Sequence, residues 1–131
     1  MVLCPGTEAN LGDGIFRLTD FARHSDRWSI GTDSHIALNP LEDLRWLDYV
    51  QRLTTNKRNT FADGASRLMS NTFFSGKMAM GISAREFFEV EQPLDAVVYN
   101  GNSPLLSTAE TEHLLSTIVY TVDAGSVLGT L

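Results

Sequence analysis

At 131 residues and 14.5 kDa, the chain has the size of one compact domain. Its 43% hydrophobic and 20% charged residues exclude a disordered protein and fit a soluble globular one. A net charge of −6 argues against nucleic acid as the main partner, because phosphate binding needs a basic surface.

MVLC is apolar from residue 1 and runs into Pro5-Gly6, which predicts a short buried strand closed by a turn. It is not preceded by the basic stretch of a secretory signal, and no window approaches ~18 apolar residues, so no membrane span is expected. Cys4 is the only cysteine, forms no internal disulfide and implies no oxidising compartment; the expected location is cytoplasmic. Residues 7–14 (TEANLGDG) read as a polar, glycine-bearing loop. Ile15, Phe16, Leu18, Phe21 and Ala22 mark a short helical stripe. RWSIG, residues 27–31, predicts a second short strand that delivers Thr32-Asp33-Ser34-His35 to its C-terminal end.

Asn39, Pro40 and Glu42 form a capping-box pattern that opens a helix running to about Thr54. Leu41, Leu44, Leu47, Val50 and Leu53 supply its apolar stripe, widened by Trp46 and Tyr49. After the polar break TNKRN, a second helix is predicted from about Gly64 to Met80, with Gly81 as its stop. LDAVVY, residues 94–99, reads as a strand closed by Asn100-Gly101. Ser107 with Glu110 predicts a capped helix through Leu115. TIVYTV, residues 117–122, and residues 126–131 read as two further strands around an Asp123-Ala124-Gly125 turn. Both ends are apolar and look cut. Composition shifts near residues 81–91, from a strand–loop–helix half to a strand-dominated half.

Asp33 is the most informative candidate. A carboxylate in the loop after a strand is a natural metal ligand or base, and beside a divalent metal it can also take a proton from bound water. The competing reading is that Asp33 or Ser34 only satisfies backbone groups in the loop, and pattern alone favours it. Glu8, Asn10 and Asp13 could likewise orient a substrate or simply decorate a solvated turn. The glycines there match neither the dinucleotide nor the P-loop pattern. His24, His35 and His113 have no mutual ligand-like spacing. Cys4 reads as a buried structural thiol. The Met69, Phe73, Phe74, Met78 and Met80 cluster reads as core or, where left unburied, as a surface for a partner or a second copy.

CPGTEANLGDGIF (residues 4–16) followed by IGTDSHIALNPLEDLRWLDYVQRLTTNKRN (residues 30–59) resembles the C-terminal part of formimidoylglutamate deiminases, metal-dependent amidohydrolases. PLDAVVYNGNSPLL and IVYTVDAGSVLGTL are similar, less specifically, to segments that return to the small β-domain beside the family's barrel. The resemblance implies an α/β fold: residues 1–81 as the last two strand–helix units of a (β/α)8 barrel, and residues 82–131 as the β-rich return segment. It implies one divalent metal, usually zinc, and hydrolysis of N-formimino-L-glutamate to N-formyl-L-glutamate and ammonia in histidine degradation.

Asp33 matches the strand-eight aspartate that ligates the metal and moves protons, so the resemblance makes it the catalytic and metal residue. Glu8 and Asn10 match the loop that faces the active site, and Ser34 and His35 adjoin Asp33 on the substrate side. The family's H-x-H pair, its two further histidines and its substrate-gripping arginines are absent from this sequence. The expectation is therefore a chain inactive by itself, with no metal of its own, that needs a missing N-terminal portion or forms a homo-oligomer. Its partners would include a small-molecule substrate but no nucleic acid or membrane. Two alternatives stay open: a non-catalytic oligomerising module, and an amidohydrolase for another amidine or a purine or pyrimidine. TEANLGDG together with LRWLDYVQRL favours the formimino substrate.

Overall fold

In the computed structural model, residues 1–34 and 38–131 are described. β1 (Val2–Leu3) and β2 (Ser29–Ile30) pair in parallel, Val2 opposite Ser29 and Leu3 opposite Ile30. Parallel strands need a crossover connection. Here it carries two short helices, α1 (Pro5–Leu11) and α2 (Leu18–Phe21). Both expected strands form, and the predicted helical stripe narrows to α2.

α1 corrects the expected loop. Pro5 does not close a turn; it occupies the first helical position, where a missing N–H costs nothing. Gly12, with φ of +74°, ends the helix in the left-handed region. The sequence signal was proline at a helix start with glycine seven residues later.

α3 (Pro40–Thr55) forms as predicted, ending at Asn56. Asn39 Oδ1 accepts from the Leu41 N–H at 3.1 Å, so the asparagine makes the cap; among the described hydrogen bonds the Glu42 carboxylate does not reach back. The buried face runs Leu41, Leu44, Leu47, Asp48 and Gln51, and Leu53 is 76% exposed. A three-residue repeat drifts off a 3.6-residue helix, so the stripe's last leucine rotates into solvent.

α4 (Ala65–Ala79) buries Ala65 and Leu68 and packs against β2. The Ser29 hydroxyl donates to the Thr72 carbonyl at 2.9 Å. A Cβ on Gly76 would lie 3.2 Å from Ser29 Oγ, so glycine permits this close approach. Trp28 stacks on Phe61 with ring centroids 6.2 Å apart, in a core that also holds Leu3, Leu18, Leu44 and Val119.

Two further expectations are overturned. The stretch expected as a strand at 117–122 is instead α6 (Leu114–Thr121), whose Val119 is fully buried. Its β-branched residues favour strands, but packing against α3 and α4 outweighs that weak preference. Arg45 of α3 donates from Nε to the Val119 carbonyl at 2.6 Å and from Nη2 to the Val122 carbonyl, satisfying the end of α6. The Ser107–Glu110 box does not form either. Ser107 is the last residue of α5 (Pro104–Ser107) and donates to the Pro104 carbonyl, and a 3-10 turn at Thr111–His113 leads into α6.

β3 (Val97–Tyr99) pairs antiparallel with β4 (Val127–Thr130), with an irregularity between Val98 and Tyr99. Both lie within predicted strands. Among the described residues, no helix is long and apolar enough to cross a membrane.

Candidate functional site

The chemistry-bearing residues gather where β1 and β2 end. Cys4 caps α1, and its N–H donates to Glu8 Oε1 at 2.8 Å. The Gly6 N–H donates to Asp43 Oδ1 of α3 at 3.0 Å. These two bonds satisfy backbone donors at the start of α1 and tie it to α3.

Thr7, 3% exposed, lies in the first turn of α1. Its hydroxyl donates to the Thr32 carbonyl and accepts from the Ser34 N–H, each at 3.3 Å. Asp33 sits between those two backbone groups with φ of +41°, and its side chain is exposed. Among the described contacts it makes no ion pair or side-chain hydrogen bond.

The carboxylates here act on one another and on Cys4. Burial pushes the Cys4 thiol up from its ordinary value, and the charges of Asp33, Glu8 and Asp43 push it further. A thiol held protonated is a poor nucleophile, as expected of Cys4, although Cys4 is half-buried and not the buried thiol expected. Burial also raises the Asp43 carboxyl; the Gly6 N–H opposes this, while Glu42 and Glu8 add to it.

The structure thus brings together Glu8, Asp33 and Ser34. One Glu8 oxygen is committed to the cap of α1, and Asn10 is exposed further along that helix. His35 lies outside the described residues. Reasoning from sequence missed Thr7 and Asp43, because both act on groups far away in the chain.

A metal needs several donors, and Asp33 offers one exposed carboxylate. Among the described residues, the group of three donors whose ligand atoms lie within 4.8 Å of one another is Glu110, Glu112 and His113, all exposed. Asp33 is not one of them. It therefore fits as a single ligand of a larger set, and the described residues do not complete that set around it. A separate apolar groove of about 860 Å3 runs between α4, residues 86–88, β3 and α6, and no candidate site residue borders it.

No family model matches the sequence. The fold is similar to a crystal structure of an amidohydrolase from Brucella melitensis, with a TM-score of 0.80 and 31% identity, covering 96% of this chain and 28% of that one. The architecture around Asp33 is therefore that of an amidohydrolase segment. In sequence, the chain is 42% identical over 118 residues to formimidoylglutamate deiminase of Pseudomonas aeruginosa. That match covers 87% of this chain and 26% of the deiminase. The resemblance read from the sequence alone is thus present in a relative, and the chain spans about a quarter of the length of either protein.

Proposed function

We propose that this chain supplies the C-terminal part of a metal-dependent deiminase that hydrolyses N-formimino-L-glutamate to N-formyl-L-glutamate and ammonia, a step of histidine degradation. Residues 1–81 are the last two strand–helix units of its (β/α)8 barrel, and residues 82–131 return to the small β-domain. The observation that carries this reading is the placement of Asp33. On a chain 42% identical to a formimidoylglutamate deiminase, it stands exposed just beyond a parallel strand pair, where barrel enzymes keep their chemistry.

Asp33 would be one ligand of a divalent metal, with zinc as the expected ion. Such a metal supplies a bound water of lowered pKa. The Asp33 carboxylate accepts a proton from the attacking water and returns it to the leaving nitrogen. Glu8 shapes the rim through the cap of α1, while Asn10, Ser34 and His35 are the candidates for contact with substrate. One carboxylate gives weak metal affinity, so the chain alone is expected to hold little metal and to release no ammonia.

The test is a chimera in which residues 1–131 replace the matching stretch of the Pseudomonas deiminase. It should release ammonia from N-formimino-L-glutamate, and Asp33→Asn within it should lower turnover on the order of a thousandfold. Full turnover in the Asp33→Asn chimera removes the role given to Asp33. Preferred hydrolysis of a ring amidine removes the substrate.

A second reading has its own observation. Met78, Met80, Phe88 and Val90 are exposed, beside a cluster in which half-buried Phe73 and Phe74 pack against an exposed Phe87. Such a surface suits a second copy or another part of the enzyme. Light scattering on the purified chain separates a defined dimer from a monomer.

A further inference from the structure

We infer that Thr7 is a positioning residue for Asp33. Its buried hydroxyl joins the backbone on either side of Asp33 and so holds that residue in the left-handed conformation from which its carboxylate faces solvent. The working role of the carboxylate rests on the function proposed above; the bridge itself does not.

A hydroxyl carries one proton and two lone pairs, so a single oxygen can donate to the Thr32 carbonyl and accept from the Ser34 N–H at once. Both bonds span the segment 32–34 from outside it, joining residues 25 and 27 positions apart in sequence. They connect the first turn of α1 to the segment that follows β2, beyond the point where the strand ladder stops. Asp33 is one of three non-glycine residues in the described chain with positive φ. Aspartate tolerates that region better than most residues, yet surrounding structure must still hold it there.

Thr7 can serve as that support because its own position is determined elsewhere. It is 3% exposed, and α1 is anchored by Cys4 N–H to Glu8 and by Gly6 N–H to Asp43 on the long helix α3. Asp43 is itself 3% exposed. The sequence of constraint therefore runs from α3 through α1 and Thr7 to Asp33. Serine preserves the bridge. Valine matches threonine in shape, removes both bonds and leaves the Thr32 carbonyl and Ser34 N–H without these partners.

The test is backbone amide exchange by NMR on the 131-residue chain. In the unaltered protein the Ser34 amide should exchange at least about tenfold more slowly than an unstructured amide, although the residue is exposed. Exchange at the unstructured rate overturns the inference without any variant. Thr7→Val should remove that protection and shift the Asp33 resonances, while core amides of Leu44 and Leu47 keep theirs. Thr7→Ser should restore Ser34 protection to within about threefold. Unchanged Ser34 protection in a folded Thr7→Val, or failure of serine to rescue it, overturns the inference. If valine prevents folding, the unaltered chain and the serine variant decide. In the deiminase chimera, Thr7→Val should lower kcat with KM little changed, and serine should recover kcat. Ser34 protection lost on Thr7→Val alongside an active Asp33→Asn chimera would leave the bridge standing and remove only the proposed chemistry.

Discussion

Asp43 and Asp48 lie on the same helix, α3, and are 3% and 2% exposed, yet their surroundings differ completely. Asp48 meets a cation and a phenol: Arg52 approaches its Oδ2 at 2.6 Å, and the Tyr120 hydroxyl donates to the same oxygen at 2.7 Å. Arg52 also donates to the Tyr120 oxygen at 2.7 Å and lies over the Tyr49 and Tyr120 rings. Burial and the Asp48 partnership push the Tyr120 phenol well above its ordinary value. Asp43 meets one backbone N–H and two negative neighbours, Glu42 and Glu8. Equal burial therefore has unequal consequences. The first aspartate sits in the network that locks α6 onto α3, and the second holds the rim of the candidate site under electrostatic tension.

The largest change expected near these aspartates comes from the apolar residue between them. Leu44→Ala should lower stability by about 3 kcal/mol in a denaturant titration, because a 2% exposed leucine leaves a cavity that its neighbours fill only partly. A loss under ~1 kcal/mol would mean that this end of α3 is not packed as described.

Asp48→Ala should follow closely. It leaves the partly buried Arg52 guanidinium without its carboxylate and should cost about 2–3 kcal/mol. Tyr120→Phe, which keeps the ion pair, should cost only about 1 kcal/mol. Equal losses in the two variants would dissolve the distinction between charge and hydroxyl.

Asp43 makes stability depend on pH. Its folded carboxyl pKa is raised, so the folded chain binds the proton more tightly than the unfolded chain does. That contribution to stability is complete below the ordinary value of 3.8 and is lost as pH rises through the folded value. Asp43→Asn keeps an oxygen for the Gly6 N–H and removes the titration. Its stability should fall less than that of the unaltered chain as pH rises from that point, with a difference at neutral pH within about 1 kcal/mol. Thermal melts across that range check the sign, and a steeper fall in the variant would contradict it.

The smallest effect belongs to the strand ends. A Cβ on Gly31 would lie 3.0 Å from Val2 Cγ1 and 3.5 Å from Cys4 Sγ. Val2 is exposed and can turn away, so Gly31→Ala should cost under about 1 kcal/mol. A cost comparable to Leu44→Ala would show the strand pair to be far less forgiving.

How far the sequence could be read depended on the range of the interactions. α3 was legible because Asn39 and Pro40 act on the helix they begin. β3 and β4 were legible from apolar runs bounded by turn residues. α6 was not, since its composition reads as strand and its helical state depends on α3 and α4 beside it. At the candidate site, Asp33 was visible as a carboxylate after a strand. Its left-handed backbone and its bridge to Thr7 were not, because they join residues far apart in the chain.

The kinship with an amidohydrolase deiminase, the cap and length of α3 and the candidacy of Asp33 were legible without coordinates, since each is written in contiguous residues. Long-range packing made residues 114–121 helical, started TEANLGDG inside a helix, and paired one aspartate of α3 while leaving the other facing like charge. Those outcomes depend on which distant groups arrive to satisfy a backbone donor or a buried carboxylate.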